Sequence, residues 1–312
     1  MKISFFRLFT MLCLSSCYYI SSINKESAPS FEKVKGIMYS EIRREFNTGI
    51  AIDQHGFQLE PEWHIYFTGD DSVKIFSLEK QKFMPYRIFH SHKDLFHFAR
   101  QWFRVKHVSK DSILLQVMHV SNQVVNEDLS NVFMTLYADD HIKNKLHISP
   151  DLLRRPSPED SLFVKYRAIQ ANSDLDSAFA ARNPVVFKSK SKIARVEKIE
   201  PRLDPNLGGI NRSESYLYPE YKIYIDKAYR DFTYSFYTVV DHKGKMKFKC
   251  FNFNLFPEFI ETKTKVAKGL INIYLRNLFE ITPGKTLGYP HSSIIVVHVI
   301  GKMDRSKTLT NK

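Results

Sequence analysis

The chain has 312 residues, a formal net charge of +13, 25 Phe and 16 Tyr, but only 11 Gly and three Cys. This is the composition of a folded protein of one large or two moderate domains, which excludes a disordered chain. The charge fits either a basic face for anionic lipid or lipopolysaccharide headgroups or lysines spread over a solvated surface, and we favour the second interpretation.

The first 16 residues have the pattern of a secretory signal. Lys2 precedes an apolar stretch of about ten residues, too short for the ~20 that span a bilayer. The segment ends in Leu14-Ser15-Ser16-Cys17, which resembles the bacterial lipobox. The resemblance implies cleavage between Ser16 and Cys17 and acylation of the Cys17 thiol. Two or three acyl chains, at ~0.8 kcal/mol per buried methylene, anchor a protein stably.

The alternatives are an ordinary cleaved signal peptide and a transmembrane anchor, with Cys17 incidental. Cys13 would leave with the signal and Cys250 stands alone, so the mature chain has no disulfide, although export permits them. Tyr18 follows Cys17, and by the common sorting rule a residue other than Asp favours the outer over the inner membrane. A protein in this compartment is not expected to bind nucleic acid.

The N-terminal half predicts an antiparallel sheet with helices. Residues 17–31 lack periodicity and are predicted to be a tether, and residues 32–200 an N-terminal α+β domain. Apolar spacing predicts a helix over residues 31–47. Short apolar or alternating runs between Asp and Gly turns then predict strands. These runs are Gly49-Ile50-Ala51-Ile52, residues 63–67 and residues 73–76.

The strongest helical pattern runs from Leu95 to Phe103, with Ser91 as its N-cap. Apolar residues there recur at i, i+1, i+3, i+4, i+7 and i+8. Residues 113–120 predict a buried strand, whereas residues 124–136 fit helix or strand equally well.

A second helix is predicted after the prolines at 150–158. Its apolar stripe would be Leu162, Phe163, Tyr166 and Ile169. Residues 184–187 and 193–196 predict strands, and the lysines between them suit an edge protected from pairing with other chains.

Residues 201–215 are rich in Pro, Gly, Asn and Ser and are predicted to be a linker. Residues 216–302 then form a small C-terminal module, and residues 303–312 a disordered tail. The module predicts a hairpin of strands 232–240 and 246–254 around Asp241-His242-Lys243-Gly244. A helix from Pro257 and a buried strand at 293–299 complete a ββαβ unit. The helix would turn Val266, Leu270, Ile273 and Tyr274 inward.

This module resembles the TonB carboxy-terminal-domain family. The matching residues, in order, are Tyr218-Pro219-Glu220, Val240-Asp241-His242-Lys243-Gly244-Lys245, Pro257-Glu258, Phe279, Pro283-Gly284-Lys285, Gly288 and the closing strand. The resemblance implies a periplasmic fold that binds short peptide segments, often by adding a strand to a sheet edge. The chain lacks the transmembrane helix and long Pro-rich spacer of the energy transducer, so the resemblance implies binding and not energy transduction.

Catalytic signatures are weak. His90, His92 and His97 are the densest candidate metal ligands, but twelve histidines are scattered along the chain and His97 falls on the polar face of the predicted helix. Gly284-Lys285-Thr286 imitates a phosphate-binding loop, yet Phe279 stands where the leading glycine is required. Cys250 is expected to be a buried, inert thiol.

The sequence therefore predicts a lipid-anchored lipoprotein of the cell envelope, periplasmic or surface-exposed and bound to an envelope protein or peptide. We expect no metal or cofactor and a binding or structural role rather than catalysis. The alternatives are an envelope hydrolase or small-ligand protein, with its site in the aromatic-rich N-terminal domain, and a purely structural tether.

Overall fold

A computed structural model describes residues 28–201 and 213–303. The predictions for the signal sequence, for Cys17, for nearly all of the tether, for most of the linker and for most of the tail lie outside these residues. The described residues form a strand-rich α+β fold, which agrees with the predicted class.

The N-terminal sheet is antiparallel throughout. Its strands are β1 (Met38–Phe46), β2 (His64–Phe67), β3 (Ser72–Ser77), β4 (Lys82–Arg87), β5 (Phe89–His92), β6 (Leu95–Phe98), β7 (Gln101–Val108), β8 (Ser112–Ser121), β9 (Val124–Asn126) and β10 (Val132–Ala138). The order is β4-β3-β2-β1-β10-β8-β7-β6-β5, with β9 paired to β8. The predicted strand at residues 49–52 is reduced to a bridge between Ile52 and Gln58.

Aromatic side chains fill the core of this sheet. Phe31 stacks on Phe67 at 4.1 Å and Phe98 on Phe103 at 4.5 Å, measured between ring centroids. All four rings are buried. Such pairs stabilise by about 0.5–1.5 kcal/mol beyond their burial. With Phe96, the buried core of this sheet holds five of the 25 Phe of the sequence.

The predicted helix over residues 31–47 is wrong. Only a 3-10 turn at Glu32–Val34 precedes β1, and Gly36 has a φ of +75° where the chain turns into the strand. Four consecutive residues of β1, from Tyr39 to Ile42, are buried, and a bulge lies between Glu41 and Arg43. Burial on both faces together with a bulge removes the alternation that marks a strand in sequence.

The predicted helix from Leu95 to Phe103 is also wrong, because these residues form the hairpin β6–β7. Ala99 and Arg100 make the turn with φ values of 50° and 63°. A two-residue turn with both φ positive matches the twist of a hairpin, but it normally carries Asn-Gly or Asp-Gly. Because Ala99 and Arg100 give no such turn signal, the apolar residues of the two short strands were interpreted as one face of a helix.

Three helices follow β10: α1 (Asp139–His141), which continues as a π-helical turn, α2 (Pro150–Leu153) and α3 (Pro158–Ser173). The helix predicted here is confirmed, and a capping box of Ser157 and Asp160 fixes its start. The predicted apolar stripe is wrong: α3 buries Asp160, Val164, Ala168 and Ala171, whereas Leu162, Tyr166 and Ile169 are exposed.

The remaining elements build the C-terminal part. They are β11 (Val186–Ser189), β12 (Ala194–Ile199), α4 (Glu214–Leu217), β13 (Glu220–Ala228), β14 (Phe232–Val240), β15 (Met246–Phe251), α5 (Pro257–Gly269), α6 (Arg276–Leu278), β16 (Phe279–Thr282), β17 (Lys285–Thr286), β18 (Tyr289–Pro290) and β19 (Ser293–Met303). The main sheet has the order β12-β13-β19-β14-β15, and β11 pairs separately with β16.

The predicted hairpin and buried last strand are confirmed as β14, β15 and β19, with β19 in the centre of the sheet. Asp241 Oδ1 accepts hydrogen bonds from the N–H groups of Lys243 and Lys245 and so closes the hairpin turn. The sheet has two strands more than expected. One is β13, which runs parallel to β19. The other is β12, which pairs with β13 although its residues precede the predicted linker and were assigned to the N-terminal domain.

Helix α5 begins at Pro257, as predicted, but its buried face differs. After Gly269 the helix continues as a π-helical segment, Leu270–Leu275. A π-helical turn changes which side chains face the sheet. Ile271 and Leu275 are buried there, whereas Ile273, which the sequence places inward, is exposed.

Candidate binding site on the open face of the C-terminal sheet

A cavity of about 380 Å³ lies against the face of the C-terminal sheet that points away from α5, called here the open face. Its floor comes from β14, β15 and β19, and its roof from Ala178–Ala180, from Leu217 and Tyr218, and from His55. The volume is within the range of ligand sites, ~300–1,000 Å³. Most of the lining is apolar.

Strand alternation produces the floor. Phe236 on β14 and Val297 on β19 point into the core beneath α5, so their neighbours Tyr237 and Val296 face the other way. Tyr237 pairs with Val296 on one side and with Cys250 on the other. These three residues form one rung across the sheet.

The roof is held by a close approach of two backbones. The Ala180 N–H group donates to the His55 carbonyl at 3.0 Å. Gly56 follows with a φ of +91°, and a Cβ atom there would lie 2.3 Å from the Ala180 carbonyl oxygen. Only glycine fits this turn without moving the roof.

His291 supports the roof from behind. Its ring stacks on Phe179 at 3.7 Å with an interplanar angle of 6°. Nδ1 must donate to the Ser292 carbonyl at 3.1 Å, so Nε2 accepts from the Thr286 hydroxyl at 3.0 Å. Burial lowers the pKa of His291 to about 4, and the charge of Arg167 acts in the same direction. The imidazole is therefore neutral at pH 7.

A polar relay lies one rung from the cavity on the same face. Ser235 Oγ is 2.7 Å from His298 Nδ1, and His298 Nε2 is 3.1 Å from Glu220 Oε2. If the hydroxyl donates to Nδ1, then Nε2–H donates to the carboxylate, which is the arrangement that activates a serine nucleophile. Acyl transfer also needs N–H donors aimed at the oxyanion, and the backbone at Ser235 is engaged in pairing with β19.

Two exposed residues of the edge strand, Lys249 and Cys250, line one side of the cavity. An extra residue, Lys249, bulges β15 opposite β14, so that Lys249 and Cys250 both line the cavity. Lys249 Nζ is 3.7 Å from the exposed Asp176 carboxylate. Cys250 is exposed, so the expectation of a buried thiol is wrong: edge strands leave one side open to solvent.

The candidate metal ligands are not brought together. His90 Nε2 contacts the Lys93 carbonyl, His92 Nδ1 contacts Ser91, and His97 packs between the rings of Phe89 and Trp102. Within residues 28–201 and 213–303, no group of three His, Cys, Asp or Glu side chains is arranged to hold a metal ion. Cys17 and Ser16 lie outside the described residues.

The relay and the floor residues were missed by sequence reasoning, although one signal was present. His298 is the only polar residue in the run Ile294 to Ile300, and a polar residue in an apolar central strand marks a face that is not fully buried. The roof residues carry no comparable sequence signal, because His55, Ala178–Ala180 and Leu217 are far apart in the chain and meet only in the fold.

No protein-family model matches this chain, and no curated protein shows significant similarity to it. Among the helices of the described residues, none is both long and apolar enough to span a bilayer.

Proposed function

We propose that this chain is a lipoprotein of the cell envelope, anchored by acyl chains on Cys17, that binds an extended peptide or protein segment at its C-terminal sheet. The observation that carries the binding proposal is the apolar cavity on the open face, whose lining includes Lys249 and Cys250 of the edge strand β15. The lipobox pattern Leu14-Ser15-Ser16-Cys17 supports the anchor.

An edge strand beside a pocket suits recognition by strand addition. No strand of the described residues pairs with the outer side of β15. Main-chain hydrogen bonds to such an edge supply affinity, and a pocket next to it selects side chains. Lys247 and Lys249 on β15 hinder pairing with arbitrary chains and favour an acidic partner. The proposed ligand is therefore a segment with an apolar side chain for the cavity and acidic neighbours.

The resemblance to TonB carboxy-terminal domains supports the same proposal. The elements on which the resemblance rests follow in the order β14, β15, α5 and β19. We infer that they form a TonB-like module, to which β12 and β13 are additions on the side opposite β15. The additions leave the β15 edge open, which is the side a peptide would join.

Filling the cavity is expected to abolish binding. In a mature chain with an acylated Cys17, Cys250 is the remaining thiol and carries a photoreactive maleimide beside the cavity. We expect crosslinking to an envelope protein or peptide in the parent chain. Ala178→Trp, which places an indole in the cavity, should reduce the yield at least about tenfold, equivalent to about 1.4 kcal/mol of binding free energy.

The matched control is Leu162→Trp, which adds the same indole on the exposed face of α3 and should leave the crosslink unchanged. Circular dichroism checks that both variants fold. A crosslinked product that persists in Ala178→Trp, or the absence of any product from the parent chain, would refute binding at this cavity.

Acylation of Cys17 is a separate expected outcome. Intact-mass analysis of the membrane fraction should show a chain that begins at residue 17 and carries two or three acyl chains. Cys17→Ala should lose the lipid and leave the membrane, because no thioether can form, while Cys13→Ala should behave like the parent chain. An unmodified Cys17, or a mature chain with another first residue, would overturn the anchor.

The rival proposals are an envelope hydrolase and a purely structural tether. The relay of Ser235, His298 and Glu220 favours a hydrolase, but the pairing of the Ser235 backbone with β19 argues against an oxyanion site there. A purely structural tether would not explain the apolar cavity. Binding at the open face uses both the cavity and the free edge, so we rank it first.

A further inference from the structure

An ion pair joins strand β15 to the turn that precedes the roof of the cavity. Lys249 Nζ lies 3.7 Å from Asp176 Oδ1, two residues before the roof segment Ala178–Ala180. Among the described residues that line the cavity, Lys249 is the only Lys, Arg, Asp or Glu. The otherwise apolar lining therefore contains a positive charge and no carboxylate.

The local backbone holds both partners in place. The Asp174 carboxylate accepts the Asp176 N–H group at 3.0 Å and the Ser177 hydroxyl at 3.0 Å, and so fixes the turn that presents Asp176. On β15, the bulge places Lys249 beside Cys250, and the Lys249 side chain is 34% exposed. The apolar stem of Lys249 thus covers part of the cavity wall while its ammonium group keeps a carboxylate partner.

The Asp176 carboxylate is a weak partner for this lysine. Its side chain is 95% exposed, and an ion pair with an exposed carboxylate contributes little because water screens the attraction. A ligand that fills the cavity would hold its own carboxylate beside apolar surface, where the attraction to an ammonium group is stronger than in water. Such a ligand can therefore replace Asp176 as the partner of Lys249.

We infer that Lys249 selects ligands with a carboxylate directly beside the apolar group that fills the cavity, and that Asp176 competes with this carboxylate. The position of Asp176 shows that a carboxylate fits there. The inference rests on the proposed function, because it concerns the same cavity, and it adds the chemistry of the partner. One acidic residue of the bound segment adjoins its cavity-filling residue and displaces Asp176 from Lys249.

The test uses the full chain and two peptide probes, dansyl-Phe-Asp-NH₂ and dansyl-Phe-Asn-NH₂, which differ in one charge. Dansyl emission rises and shifts to the blue in an apolar site, so titration gives the Kd of each probe. We expect the Asp probe to bind about fivefold more tightly than the Asn probe. Lys249→Gln should abolish this preference. Asp176→Asn should increase it about threefold, because the competing carboxylate is lost.

Lys247→Gln is the matched control, since Lys247 is an exposed lysine of the same strand outside the cavity lining, and it should keep the parental preference. Ala178→Trp should exclude both probes, as expected for binding in the cavity.

Equal affinity of the parent chain for the two probes, or a preference that persists in Lys249→Gln, overturns the inference while binding in the cavity stands. An unchanged preference in Asp176→Asn overturns the competition. Binding of neither probe also overturns the inference, and the Cys250 crosslink then decides separately whether a longer segment binds.

Discussion

Asp160→Asn is expected to destabilise the protein by about 3–5 kcal/mol, the largest effect we anticipate for a single substitution. The Asp160 side chain is buried and forms a bidentate pair with Arg43, at 2.6 and 3.1 Å. It also accepts the N–H groups of Ala51 and Ser157, each at 2.8 Å. One carboxylate therefore joins β1, the loop after it and the start of α3.

An amide cannot replace this carboxylate. Both oxygens of Asp160 accept two hydrogen bonds from donors, so one end of an asparagine would direct its NH₂ group at a guanidinium or a backbone N–H. Arg43 would also lose its fully buried carboxylate partner and keep only Glu45, which is partly exposed, and the Gly49 carbonyl. Removing one partner of a buried ion pair costs more stability than forming the pair contributes.

Urea unfolding at pH 7 measures the effect. Asp151→Asn is the control, since that side chain is 90% exposed, and it should change the free energy of unfolding by less than about 0.5 kcal/mol. If Asp160→Asn lowers the free energy of unfolding by no more than Asp151→Asn does, the Asp160–Arg43 pair contributes little to the stability of the domain.

The same variant should alter acid stability. Burial acts to raise the pKa of Asp160, but the hydrogen bonds from Arg43 and the two backbone N–H groups outweigh it and hold the pKa below its usual value. A carboxyl with a lower pKa in the folded state stabilises the protein above about pH 4, and this is lost as pH falls through the folded pKa. Asp160→Asn should flatten that part of the stability profile.

How much of the fold follows from sequence depends on whether burial leaves a periodic pattern. The hairpin β14–β15 and the start of α5 were predicted because Asp241 to Gly244 and Pro257 carry local turn and cap chemistry. Strand β1 was not, because a buried bulge at Glu41 erases alternation. The turn at Ala99 and Arg100 has no glycine to mark it, so its hairpin imitated a helix.

The site was less predictable than the fold for a different reason. Tyr237 and Val296 were placed in strands correctly, but the cavity exists only because the Ala178–Ala180 segment covers part of the open face. That segment is held by His55 and stacks on His291, more than 100 positions away on either side. Contacts of such separation leave no mark in local periodicity. The exposure of Cys250 depends likewise on which strand forms the edge.

Lowering the pH from 7.5 to 5 is expected to reduce the free energy of unfolding by about 2 kcal/mol through the titration of His291 alone. The pKa of this buried imidazole is lowered to about 4, against ~6.5 in an unfolded chain. Between these values the unfolded chain binds a proton that the folded one excludes, so stability falls as pH drops from about 6.5 towards 4. At pH 7.5 both states are neutral at this position and the effect disappears.

Urea unfolding at pH 7.5 and pH 5 tests this expectation. His291→Gln should be less stable than the parent chain at pH 7.5, because the stack on Phe179 is lost, but it should lose about 2 kcal/mol less on acidification. His92→Gln, at an exposed position, should keep the parental pH dependence. Equal slopes for the parent chain and His291→Gln would show that the imidazole is protonated in the folded protein.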